Sequence, residues 1–122
     1  MKKRILIVDD EPGIVRLLSM RLEANGYETF GAYDSYQGLK TAKDVKPDLI
    51  ILDLQMPAGG GVHIFENLKA SVYTETIPII FMTGFVDKEV KQLVMEIGAD
   101  GFFTKPFNSV ELLKKIKELI GE

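Results

Sequence analysis

Four short apolar runs in this chain are continuous rather than alternating, and each stops at a polar residue. Arg4-Ile5-Leu6-Ile7-Val8 runs into Asp9-Asp10, and Leu49-Ile50-Ile51-Leu52 runs into Asp53. Ile79-Ile80-Phe81-Met82 runs into Thr83, and Phe102-Phe103-Thr104 into Lys105. A strand with one wet face alternates apolar and polar residues; continuous runs belong to strands covered on both faces, as in a parallel sheet. Helical spacing fills the intervals. Ile14, Leu17, Leu18, Arg21 and Leu22 lead into Asn25-Gly26, a C-terminal stop, and Val86, Val90, Leu93, Val94 and Ile97 end at Gly98. Val110, Leu112, Leu113, Ile116, Leu119 and Ile120 form a stripe behind Asn108, which suits an N-cap. Weaker signals predict helices over 36–45 and 61–70 and a strand over 28–32.

Strand and helix therefore alternate five times with short connections. That pattern predicts an α/β fold: a flavodoxin-like (βα)5, doubly wound, five-stranded parallel sheet of order 2-1-3-4-5. The whole of 1–122 reads as one domain, and no linker or repeat beyond the βα period interrupts it. Open sheets of this kind bind ligands at the C-terminal ends of their strands, at the switch point between the first and third. Asp9, Asp10 and Asp53 fall at that point, and Thr83 and Lys105 share the edge.

Composition narrows the chemistry. The chain has no cysteine, which excludes disulfides and thiolate metal sites. Its net charge is -3 and no Lys/Arg block stands out, which argues against direct nucleic-acid binding. Met-Lys-Lys-Arg precedes too short an apolar stretch for a signal peptide, and no run is long enough to cross a membrane. A cytoplasmic location is expected, with no membrane association. The first strand follows the starting Met directly, which favours a natural N-terminus over the tail of a hybrid kinase.

At the shared edge, Asp9-Asp10 is read either as a helix start, with Asp10 or Glu11 before Pro12 suiting an N-terminus, or as part of an acidic site. Three convergent carboxylates repel one another and call for protons or a cation. Without cysteine, and with His63 remote in sequence, that cation is hard and oxygen-ligated: Mg²⁺ first, Mn²⁺ as a substitute. Asp53 then reads as a metal ligand, a cap or a nucleophile that accepts a phosphoryl group. Thr83 is a strand terminator or a hydroxyl donor to a phosphoryl oxygen. Lys105 is a solvated amine or the positive charge that steadies such a group. Phosphoryl transfer needs positioning and charge neutralisation more than covalent machinery, and this set supplies both.

The motifs Ile7-Val8-Asp9-Asp10-Glu11, Leu52-Asp53-Leu54-Gln55-Met56-Pro57, Met82-Thr83-Gly84 and Gly98-Ala99-Asp100-Gly101 precede Phe102-Phe103-Thr104-Lys105-Pro106-Phe107. In this order they resemble the CheY-like receiver domain of two-component response regulators, over 3–120. The resemblance implies a phosphorelay receiver in which Asp53 takes a phosphoryl group from a histidine kinase's phosphohistidine in a Mg²⁺-dependent reaction. It implies Asp10, Asp53 and the Gln55 backbone carbonyl as metal ligands, with Asp9 acting mainly through water. Thr83 matches the switch hydroxyl, Lys105 the lysine that contacts the acyl phosphate, and Phe102 the aromatic that turns inward on activation. The Lys105-Pro106 bond is implied to be cis. Such a protein is a signalling switch rather than an enzyme, catalysing only its own phosphorylation and dephosphorylation. Its expected partners are a sensor histidine kinase or phosphotransfer protein, and a downstream effector protein or a covalently attached output domain. The output surface lies over the fourth helix, fifth strand and fifth helix, roughly 86–120, which is also the expected face of a phosphorylation-dependent homodimer.

One departure from the family pattern is Gly59-Gly60, where a Met and an Asp are common; a looser loop after Asp53 is expected. Gln55 and Phe85 flank the site and are expected to shield it from water. His63 reads as a solvated helix residue, Glu111 to Glu118 as an exposed face, and Tyr27, Phe30, Tyr33 and Tyr36 as an aromatic cluster about the second strand. A haloacid-dehalogenase-type phosphatase shares the Asp, hydroxyl and lysine but requires an acid where Gln55 stands. A flavodoxin-type FMN site would place phosphate against an acidic pair.

Overall fold

Each apolar run forms a strand, and each helical interval a crossover. The computed structural model describes residues 2–56, 60–84 and 88–121. Along the chain come β1 (Arg4–Val8), α1 (Pro12–Ala24), β2 (Glu28–Ala32), α2 (Ser35–Val45) and β3 (Leu49–Asp53). They are followed by α3 (Gly60–Lys69), β4 (Ile79–Thr83), α4 (Lys88–Ile97), β5 (Gly101–Thr104) and α5 (Ser109–Ile120). All pairings are parallel and the strand order is β2-β1-β3-β4-β5.

Successive strand side chains point to opposite faces, so the sheet carries two cores. Ile5 and Ile7 of β1, Leu49 and Ile51 of β3, and Ile80 and Met82 of β4 pack against α1 and α5 through Val15, Leu18, Leu22, Leu112 and Ile116. Leu6, Val8, Ile50, Leu52, Ile79 and Phe81 pack on the other side against Ala42, Ile64, Phe65, Leu68 and Val94 of α2, α3 and α4. Phe81 is wholly buried and meets the Phe65 ring at a centroid distance of 5.3 Å. Burial of a side chain that size contributes about 2–3 kcal/mol. The edge strands β2 and β5 are only partly covered, and for β2 this is why the sequence carried a weaker signal.

Capping follows the side chains present. Asp34 accepts the Gln37 amide at 2.8 Å and starts α2 at Ser35, one residue earlier than its apolar spacing predicts. Asn108 accepts the Glu111 amide at 3.1 Å and starts α5 as expected. Gly26 and Gly98, beyond the ends of α1 and α4, take positive φ. α3 runs from Gly60 to Lys69 rather than over 61–70. Val86, Phe85, Pro57 and Gly59 lie outside the described residues.

Two expectations need correction. The four aromatics about β2 do not form one cluster: Tyr27 is buried in the α1/α5 core and Phe30 packs on the opposite core, while Tyr33 and Tyr36 are exposed. Strand alternation separates the first two, and position in the turn and at the start of α2 leaves the others in solvent. Nor is Gly60 part of a loose loop. It is buried at the start of α3, where a Cβ would lie 2.7 Å from the Met56 Cβ, and a Cβ on Gly61, buried beside it, would overlap the Asp53 carbonyl oxygen.

Candidate functional site

The site is assembled by strand ends. Asp9 follows the last residue of β1, Asp53 and Thr83 close β3 and β4, and Lys105 follows β5. Asp9, Asp53 and Thr83 are 2%, 4% and 0% exposed. The Asp9 amide bonds the Ala32 carbonyl and the Lys105 amide the Thr83 carbonyl, so the sheet ladder continues one step past the strands and fixes both side chains. Asp10 is exposed at the mouth.

Asp9, Asp10 and Asp53 each offer a carboxylate oxygen within 4.8 Å of the other two. The Lys105 ammonium faces them, 2.8 Å from Asp9 Oδ2, 3.3 Å from Glu11 Oε1 and 3.5 Å from Asp53 Oδ2. The remaining oxygens of the buried pair are held by the backbone: Asp9 Oδ1 accepts the Glu11 amide at 2.9 Å and Asp53 Oδ1 the Gln55 amide at 3.0 Å. The Asp53 carboxylate is thus oriented by the turn that follows it.

Burial pushes the Asp53 carboxyl above its ordinary value; the Gln55 amide pulls it back, Asp9 adds to the push, Lys105 opposes it and Asp10 adds again. For Lys105, burial favours the neutral amine, but the Asp9 hydrogen bond, the Asp53 and Asp9 charges and Glu11 outweigh it and raise the pKa. The pocket therefore holds a carboxylate disfavoured as an anion and a lysine fixed as a cation. An acidic, all-oxygen donor set of this kind fits Mg²⁺ or Mn²⁺, which takes one or two carboxylates and otherwise water or phosphate oxygens.

Asp9, Asp10, Asp53, Thr83 and Lys105, the residues singled out in the sequence for phosphate chemistry, share this edge. Thr83 sits one step beyond Met82, the register partner of Asp53. Gln55 is exposed next to Asp53, and its amide, besides the carbonyl expected to bind metal, contacts the site. Phe102 is register partner to Phe81 and packs, partly buried, against the α2–α4 core. The Lys105-Pro106 bond is cis. His63 is exposed on α3, and its ring meets Asn67 one turn on.

Two contributors were missed. Glu11 stands at the N-cap of α1 with no capping bond, and its side chain reaches Lys105 instead. Its position directly after Asp10 was the only available sign. Gly61 allows the α3 terminus to lie against the Asp53–Leu54 backbone, a long-range contact with no local signature.

Comparison with known proteins agrees with this geometry. Residues 5–117 match the family described as response regulator receiver domain. The chain is 38% identical over 120 residues to the alkaline phosphatase synthesis transcriptional regulatory protein PhoP of Bacillus subtilis, covering 98% of this chain and 49% of that protein. It is 39% identical over 118 residues to the phosphate regulon transcriptional regulatory protein PhoB of Pseudomonas aeruginosa, covering 97% and 52%. The chain thus spans about half the length of these relatives. Among solved structures, Vibrio cholerae chemotaxis protein CheY4 superposes with a TM-score of 0.89 at 31% identity, over 98% of this chain and 99% of that one. A response regulator from Chloroflexus aurantiacus gives 0.91 at 28%, over all of both chains.

Proposed function

Since the chain belongs to the response regulator receiver family and is a receiver domain of two-component signalling, we propose that Asp53 is its phosphoacceptor and that 1–122 acts as one receiver unit. The phosphoryl donor is the phosphohistidine of a sensor histidine kinase or phosphotransfer protein. Asp53 attacks with the oxygen not held by the Gln55 amide, and the donor imidazole leaves as the new acyl phosphate bond forms. Asp10, Asp53 and the Gln55 carbonyl would hold Mg²⁺ or Mn²⁺, with Asp9 acting through water. The bound ion would neutralise charge on the phosphoryl oxygens. Lys105, beside the attacking Asp53 Oδ2, supplies further positive charge, and Thr83 donates its hydroxyl to a phosphoryl oxygen once the group is in place.

The observation that carries this reading is the meeting of three carboxylates within 4.8 Å with the Lys105 ammonium 3.5 Å from Asp53. Movement of Thr83 vacates space that Phe102 fills, altering the α4-β5-α5 surface. That face is proposed to bind the output partner and to form a phosphorylation-dependent homodimer. Because the relatives named above are transcriptional regulatory proteins of about twice this length, the output is proposed to be transcriptional, through an attached domain or a separate effector. The domain itself makes no nucleic-acid contact and works in the cytoplasm, and it catalyses only its own phosphorylation and dephosphorylation. With labelled acetyl phosphate and Mg²⁺ the wild type is expected to incorporate phosphate and Asp53→Asn none. Incorporation that survives the substitution would overturn the assignment.

A further inference from the structure

At the sheet edge opposite Asp53, a cavity of about 300 Å³ is lined by Lys2, Lys3, Arg4, Lys46 and Asp48. Four cationic residues and one acidic residue line it, on a chain of net charge -3. The carboxylate is already committed: Asp48 Oδ2 accepts the Arg4 amide at 2.7 Å, and the Asp48 amide bonds the Arg4 carbonyl at 2.8 Å. Arg4 is anchored too, its Nε 3.2 Å from Glu28 Oε1 and its Nη1 donating to the Val45 carbonyl at 3.1 Å. Among the described residues, no ion pair engages Lys2, Lys3 or Lys46.

Lysines near a chain end are ordinarily solvated, so the charge excess alone decides little. Lys46 carries the argument further. It is the one described non-glycine residue with positive φ, 53°, and it caps α2 in the left-handed region where glycine or asparagine is usual. A cation is favoured at a helix C-terminus, but Lys43 in the last turn already supplies one. The backbone therefore accepts an unfavourable residue that places an ammonium at the cavity.

We propose that this cavity binds a diphosphate group, free or carried by a nucleotide. Its volume stands at the lower end of small-ligand pockets, roughly 300–1,000 Å³, and its cationic residues are gathered at one end of β1 rather than strung along a face, which suits a compact anion over a polymer. Separate ammonium groups on flexible stems match phosphate oxygens as point charges, while pinned Arg4 fixes the floor. The length of β1, Arg4–Val8, separates this site from Asp9, so a ligand here does not touch the carboxylates at the other end of the strand.

The test is amide NMR of the whole chain titrated with inorganic pyrophosphate or ADP, without divalent cation, at about 0.15 M salt to screen loose association. Saturable shifts are expected at the amides of 2–4 and 45–48, and the triple variant Lys2→Gln/Lys3→Gln/Lys46→Gln should weaken binding about tenfold or more. Lys46→Gly separates site from fold: it should raise the melting temperature, by relieving the backbone, while weakening binding. Equal affinity for both probes assigns a free diphosphate, and tighter ADP binding a nucleotide. Shifts spread equally over Lys88, Lys91 and Lys114, unchanged affinity in the triple variant, or no saturation with either probe would overturn the proposal.

Discussion

Asp53 and Lys105 have opposite relations to burial. The lysine's cationic form is held by Asp9, Asp53 and Glu11, whereas the Asp53 anion is disfavoured by loss of solvent. A carboxyl whose folded pKa lies above its unfolded value binds more protons in the native state, so stability falls as pH rises through that interval. The penalty is absent below the unfolded value near ~3.9, grows up to the folded value and is complete above it. Asp53→Asn, without divalent cation, should therefore raise the melting temperature at neutral pH, by about 4 °C for each kcal/mol regained. The gain should disappear in acid below the unfolded value. A thermal melt series over pH checks this, and a lower melting temperature at pH 7 would contradict it. Glu11 shows a limit of reading residues singly. Its place before Pro12 suits a helix start, yet its carboxylate serves the ammonium of a residue 94 positions away.

Among elements, central strands were legible and their surroundings less so. β1, β3 and β4 are covered on both faces, and that burial is written as uninterrupted Ile, Leu and Val. Since strand ends share an edge in a parallel sheet, the residue types stopping each run also disclosed most of the site. Tyr33 and Tyr36 misled because aromaticity signals strand or core only on average, while exposure depends on which turn carries the residue. The glycines after Asp53 misled in the other direction. Gly60 looked like freedom but begins α3, and Gly61 marks a close approach of α3 to the β3 terminus. Gly61→Ala forces a Cβ against the Asp53 and Leu54 backbone and should cost about 1–3 kcal/mol, slowing phosphorylation as Asp53 shifts. Gly13→Ala in α1 meets nothing within 4 Å and should be neutral or stabilising, within ~1 kcal/mol. Urea midpoints of the two variants, with acetyl phosphate rates, distinguish a local clash from a general intolerance of alanine.

For the whole molecule, the account joins one chemical edge to one output face. Phe102 lies between them, paired in register with Phe81 and packed on the α2–α4 core three residues before Lys105. Phe102→Ala should leave Asp53 phosphorylation within about twofold of wild type and lower partner affinity or dimerisation of the phosphorylated form by about tenfold, a loss of roughly 1.4 kcal/mol. Sedimentation with and without acetyl phosphate reads the dimer directly; equal behaviour of wild type and variant would remove Phe102 from the switch. All of this rests on the phosphoryl group residing on Asp53. The most direct measurement is to phosphorylate the chain with acetyl phosphate and Mg²⁺, trap the acyl phosphate by borohydride reduction, and locate the reduced residue by peptide mass spectrometry. The account predicts a single reduced aspartate at Asp53, absent when Mg²⁺ is chelated. Reduction at Asp9 or Asp10, or phosphate on His63, would contradict it.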